Sequence, residues 1–224
     1  YFTGDDLPIP WEMCGTTNGS WGYRSDDHEW RNPKMIISSL VASASRNGNY
    51  LLNVGPKANG EIPAAPTKHL LEAGKWLQKN GEAVYYTKGS PFPWNYSWGY
   101  ITQKPNKLFL HVFNRPEKNK LEVNGLLNSI ESINVLNDDK KLTYNQNGRF
   151  LSIDLTTVVK DSISSTIVVN YKGDKINIDS LISQSIDKSI RLDRISGSYN
   201  KELLTTTWDF NVTKPGKYKI HLLS

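Results

Sequence analysis

The chain has 224 residues with a formal net charge of +5 at pH 7; 38% of its residues are hydrophobic and 22% are charged. That composition excludes a disordered or fibrous chain and leaves room for one large domain or two small ones around real cores. The lysines are scattered, the longest basic run being Lys140-Lys141, so no nucleic-acid partner is expected, because phosphate binding wants cations gathered on one stripe. No apolar run approaches the roughly 18 residues of a membrane span, which gives no membrane partner, and the one cysteine, Cys14, excludes an internal disulfide framework.

The chain opens on "YFTGDDLPIP", a polar, proline-rich loop without a starting Met, and is expected to continue sequence that lies elsewhere. Trp11 to Thr17 reads as a short strand that stops at the turn chemistry of Asn18-Gly19-Ser20 and hands over to an aromatic loop. Asn32-Pro33 supplies an N-cap and a first-turn proline, and Met35, Ile36, Ile37, Leu40, Val41 and Ala44 then recur at helical spacing until Asn47-Gly48. "GNYLLNVGP" has the nearly continuous apolar character of a strand covered on both faces. A second helix follows, with Leu70, Leu71, Gly74, Trp76 and Leu77 on one side and Asn80-Gly81 as its stop. Strand, helix, strand, helix within about eighty residues makes two units of a parallel α/β architecture. Two such units leave an open edge, a second sign of absent N-terminal sequence.

From about Tyr85 the period changes. "KLFLHVF", "KLEVNGL", "IESINVL", "RFLSIDL" and "STIVVNY" alternate apolar and polar residues between turns such as Asn137-Asp138-Asp139 and Asn147-Gly148, the pattern of an antiparallel sandwich. Beyond about Asp174, "SIRLDRISGSY" and two strands around a Lys214-Pro215-Gly216-Lys217 turn suggest a partial third β-unit.

Several chemistries fail on inspection. "GPKANGEI" has Glu61-Ile62 where a phosphate loop needs Lys and then Ser or Thr. His28, His69, His111 and His221 have no ligand spacing, so no metal is expected. Cys14, inside a strand without a positioned His, reads as a small buried residue.

Glu12 is the best carboxylate. Held against aromatic surface it would have the raised pKa of a general acid; paired with Arg24 or Arg46 it would only order the loop. Asp5 and Asp6 lie in the preceding loop and could reach a site from outside. Trp21 and Tyr23, set among glycines and turn residues, would form an exposed wall for the C–H face of a sugar ring. Trp94, Trp98 and Tyr100 could form a sugar platform in a non-catalytic binding module, or serve as aromatic filler sealing the sandwich; core packing is the commoner fate.

"PWEMCGTTNGSWGY", "GNYLLNVGPKANGEIP" and "LLEAGKWLQKNGEAVYYT", in this order and spacing, closely resemble the end of the catalytic barrel of the α-L-fucosidases of glycoside hydrolase family 29. The resemblance is strong over 11–87, looser over 88–172, and beyond that extends only to accessory β-modules. It implies that 1–87 is the last two βα units of a (β/α)8-like barrel, 88–172 a C-terminal antiparallel β-sandwich, and 173–224 a partial accessory β-module.

It also implies a cofactor-free retaining hydrolysis of terminal α-L-fucose from fucosylated glycans. An Asp nucleophile and a second carboxyl about 5–5.5 Å away carry that reaction, at the C-terminal ends of the barrel strands. No position here matches the nucleophile. Glu12 matches a candidate acid/base, and Trp21, with Trp11 and Tyr23, the substrate-facing aromatics. In several family members the acid/base is an upstream loop carboxylate, a place where only Asp5 and Asp6 stand. A secreted or periplasmic bacterial enzyme fits the single Cys and trailing β-module best; the sequons at Asn18, Asn95 and Asn211 would matter only in a secreted eukaryotic protein.

Overall fold

The computed structural model describes residues 10–179 and, beyond them, residues 182–183, 190, 198–200, 205–207, 210–212 and 216–217. Strand β1 (Glu12–Thr16) pairs in parallel with β2 (Asn49–Asn53), Glu12 opposite Asn49 and Thr16 opposite Asn53. The connection between them is α1 (Pro33–Ala44). Its start is the one expected: the Asn32 side chain accepts from Met35 N at 2.9 Å, and Pro33 takes a first-turn position whose missing N–H has no helical partner to lose. Past its end, Asn47 has φ of +57°, the left-handed residue that turns the chain. The next position must be glycine, because a Cβ on Gly48 would lie 2.3 Å from the Trp11 ring.

Helix α2 (Ala64–Asn80) lies against α1, and Ile36, Ile37, Val41, Ala73 and Trp76 form their shared core with Leu52 behind them. Two expectations are corrected. Leu71 does not share the buried side of α2 and is 64% exposed, since the helix contacts its core along Leu70, Ala73, Trp76 and Leu77. Among the described residues the β1–β2 pair is covered on one face only. The α1 layer takes the Leu52 side, while alternation puts Glu12, Cys14, Asn49 and Leu51 on the other, where all four are exposed. Cys14 is therefore an exposed free thiol rather than a small buried residue.

A short 3-10 turn, Gly81–Ala83, leads into the sandwich. One sheet has β3 (Gly99–Lys104), β4 (Lys107–Val112), β9 (Ser165–Tyr171) and β6 (Ile130–Val135) in that order; the other has β5 (Lys120–Asn124), β8 (Phe150–Asp154) and β7 (Tyr144–Asn147). All pairings within these two sheets are antiparallel. Leu110, Leu121, Leu151, Ile153, Ile167 and Val169 meet between them. The left-handed Asn137 and Gly148 sit at the turns the sequence marks. Strands β3 and β7 were not individually legible.

The aromatic platform is excluded by burial. Trp98 is 6% exposed in the sandwich core and donates to Glu122 O at 3.1 Å, whereas Tyr100 belongs to the helical core on the other side of the sheet. Phe92, Trp94, Tyr96 and Trp98 are interlocked filler, with Tyr96 stacked on Trp98 at 4.8 Å.

The helical layer is fastened to the outer face of β3–β4–β9. Trp76 Nε1 donates to Ser164 O at 3.0 Å, Lys34 Nζ to Phe113 O at 2.8 Å, and Thr102 Oγ1 to Ala83 O at 2.6 Å. With that hydroxyl proton committed, the fully buried His111 offers its Nε2–H to Thr102 Oγ1 at 3.0 Å. Burial pushes His111 down to about 4, against a weaker opposing effect of the Ala83 carbonyl.

Past 173, β10 (Ile182–Ser183) pairs in parallel with β13 (Phe210–Asn211), and β11 (Ser198–Asn200) pairs antiparallel with β12 (Thr205–Thr207). Lys214 and Pro215 of the expected turn lie outside the described residues.

Candidate functional site

The C-terminal ends of β1 and β2 meet in a polar knot. Asn53, the last residue of β2, spends both amide protons there: Nδ2 donates to Trp21 O at 2.6 Å and to Thr16 Oγ1 at 3.1 Å. Thr16 in turn lies 3.1 Å from Asn18 Oδ1 and 3.2 Å from Ser20 O. Asn18 Nδ2 reaches Ser20 Oγ and Asp27 Oδ2, both at 3.1 Å, and Ser20 Oγ donates to the same carboxylate oxygen at 2.7 Å. The Ser20 hydroxyl is the main reason that Asp27 is held below the usual carboxylate range; desolvation opposes it, and Glu29 N and Asn18 add smaller lowering contributions. Asn18, buried with its amide engaged, is closed as a sequon, while Asn95 is exposed.

The knot projects two aromatic rings. Trp21 is 61% exposed and Tyr23 41%, on a loop whose main chain abuts the exit of β2: a Cβ on Gly55 would stand 2.8 Å from Gly22 C and Tyr23 N. The exposure expected of these glycine-flanked aromatics is what the structure shows.

The other candidates leave from the opposite end of the strand. Glu12 opens β1, so four steps of the strand separate it from Thr16, about 13 Å at about 3.3 Å per residue. Glu12 and Thr16 share a face but not an end. Glu12 is exposed, and among the described residues neither expected cation pairs with it: Arg24 binds Asp26 at 2.6 Å, and Arg46 reaches Asn95 Oδ1 at 3.1 Å with its guanidinium over Tyr100. Trp11 is also at this end, half-buried, with Nε1 donating to Arg46 O at 3.0 Å and its ring against Gly48. Asp5 and Asp6 lie outside the described residues.

Sequence reasoning missed Asn53, Thr16 and Asp27. The available signal was an Asn closing a strand just before Gly55-Pro56, opposite a strand that ends in Thr-Thr-Asn.

A parallel strand pair with its helices, followed by an antiparallel sandwich, is an architecture that this chain shares with glycoside hydrolases of known structure. The α-L-fucosidase from Vibrio sp. strain EJY3 matches with a TM-score of 0.84 at 31% identity, over 94% of this chain and 38% of that one. α-L-Fucosidase isoenzyme 1 from Paenibacillus thiaminolyticus matches with a TM-score of 0.70 at 32% identity, over 76% of this chain and 42% of its own. The family model described as Alpha-L-fucosidase matches residues 1–82. Human tissue α-L-fucosidase is 39% identical over 127 residues, 53% of this chain and 25% of the human protein. The α-L-fucosidase of Dictyostelium discoideum is 36% identical over 134 residues, 52% of this chain and 28% of its own length. The chain thus spans about a quarter of the length of these curated relatives.

Proposed function

We propose that the protein carrying this sequence is a retaining exo-α-L-fucosidase acting on terminal fucose of glycans, secreted or periplasmic, and that this chain supplies the end of its barrel and its C-terminal sandwich. The observation that carries the reading is the Trp21–Tyr23 loop, held rigid at the C-terminal ends of two parallel strands with its rings in solvent, where barrel enzymes meet substrate. A planar ring there packs against the apolar face and methyl group of a 6-deoxy sugar and excludes water from it. The nucleophilic Asp that the resemblance implies matches no residue of this chain. Alone, the chain is therefore expected to release no fucose, since the covalent route needs that group.

Glu12 is the proposed acid/base. It is supported by the Trp-Glu motif and by a side chain without an ion-pair partner among the described residues, at the N-terminal end of β1. The experiment is fucose release by the full-length protein with Glu12→Gln, with azide as a replacement nucleophile. A loss of about a hundredfold or more in kcat, recovered with azide as an α-fucosyl azide product of retained configuration, is expected for an acid/base, because azide attacks the fucosyl-enzyme without needing a general base. Near-normal turnover would return Glu12 to a structural role and move the acid upstream.

A further inference from the structure

We propose that Asn53 is a positioning residue that sets the aim of the Trp21 ring through the Trp21 main-chain carbonyl. This inference rests on the reading of Trp21 as a wall of the sugar site.

The argument starts from what does not hold Trp21. Its side chain is 61% exposed, and among the described residues its ring joins no aromatic pair, so packing supplies little restraint. An exposed indole on a loop otherwise samples several rotamers and several loop conformations, and ordering it on binding weakens affinity. What remains is the backbone. The Trp21 carbonyl accepts from Asn53 Nδ2 at 2.6 Å, and the second proton of the same amide goes to Thr16 Oγ1 at 3.1 Å. One planar group thus ties the loop to the last residues of both parallel strands. Thr17 N donates to Asn53 O at 3.1 Å, which holds the Asn53 backbone in turn. On the far side of Trp21, Ser20 is anchored by Asp27, and Gly22 abuts Gly55. Residues 20 to 22 are clamped on both flanks, and Asn53 is the clamp that touches residue 21 itself.

A merely structural Asn53 would affect folding of the loop without regard to whether residue 21 is Trp. A positioning Asn53 acts through the ring, and a double-mutant cycle separates the two. In the full-length protein, with an aryl α-L-fucoside as substrate, Trp21→Ala is expected to raise KM about tenfold or more with a smaller change in kcat, the signature of lost binding common to ground and transition states. Asn53→Ala is expected to raise KM by a comparable factor, and in the Trp21→Ala background to add less than about twofold. Asn53→Asp, equal in size but unable to donate, should behave as Asn53→Ala. Amide exchange of residues 20–23 should rise in both, with thermal midpoints nearly unchanged.

The outcomes are distinguishable. If Trp21→Ala leaves KM unchanged, the sugar-wall reading fails. If Trp21→Ala raises KM but Asn53→Ala and Asn53→Asp do not, or if the effects simply multiply, the positioning role is overturned. Failure of both Asn53 variants to fold would likewise overturn it, by showing that the residue holds the strands rather than the ring.

Discussion

The two halves of the chain solve burial differently. Between the sandwich sheets Leu110, Leu121, Leu151 and Ile153 are wholly inaccessible, because two antiparallel sheets close on each other and alternation sends every second residue inward. The β1–β2 pair has a helical layer on one face and nothing described on the other, where Leu51 is 53% exposed next to Cys14. The helical layer instead draws on the sandwich, burying Trp76 with Phe113 and covering His111 of β4. The difference teaches which half closes on itself and which stays open among the described residues: the exposed Trp21–Tyr23 loop stands at the ends of the half-covered strand pair, and loops are where ligands are commonly met.

The largest contrast should come from truncating one leucine in each half. Leu151→Ala, in the closed core, is expected to destabilise the chain by about 2–5 kcal/mol in urea unfolding, while Leu51→Ala on the open face should change stability by less than about 0.5 kcal/mol. Equal losses would show that the open face is covered within this chain.

Acid probes the seam between the halves. His111 takes a proton in the unfolded chain near its ordinary 6.5 but resists in the folded one down to about 4, so the unfolded state binds more protons throughout that interval. Stability is therefore expected to be level above pH 6.5 and to fall as the pH drops toward 4, by about 3 kcal/mol from this group. Subtracting the profile of His111→Leu, whose slope lacks this component, isolates it; identical slopes would mean that the imidazole is already protonated or solvated in the fold.

The smallest effect is a labelling difference. Cys14 in the isolated folded chain should react with a maleimide at close to the rate of the unfolded chain, and more slowly in the full-length protein if barrel strands cover that face. A protected thiol in the isolated chain would remove the open face altogether.

Much of the architecture is legible along the chain because its causes are local. Asn32-Pro33 starts α1 through a hydrogen bond to a residue three positions on, and the turns at Asn137 and Gly148 follow from the left-handed conformations those residues tolerate. Residue periods likewise separate the helical layer from the sandwich. Covering is not local. "NYLLN" has the pattern of a strand buried on both sides whether or not a second layer is present, so the exposure of Leu51 and Cys14 could not be read from it. Periodicity placed Leu71 and Trp76 together, but contact with α1 and the sandwich decided which of them is buried.

At the site the same division holds. The sequence by itself determined that Trp21 and Tyr23 stand exposed on a turn-rich loop, since glycines and turn residues leave them little to pack against. Only the tertiary structure decided what holds that loop, because the clamp from Asn53 to Trp21 spans 32 residues and exists only once β1 and β2 pair in register. It also decided that Glu12 and Trp21 leave opposite ends of one strand, a separation set by the rise of an extended backbone and invisible to motif spacing.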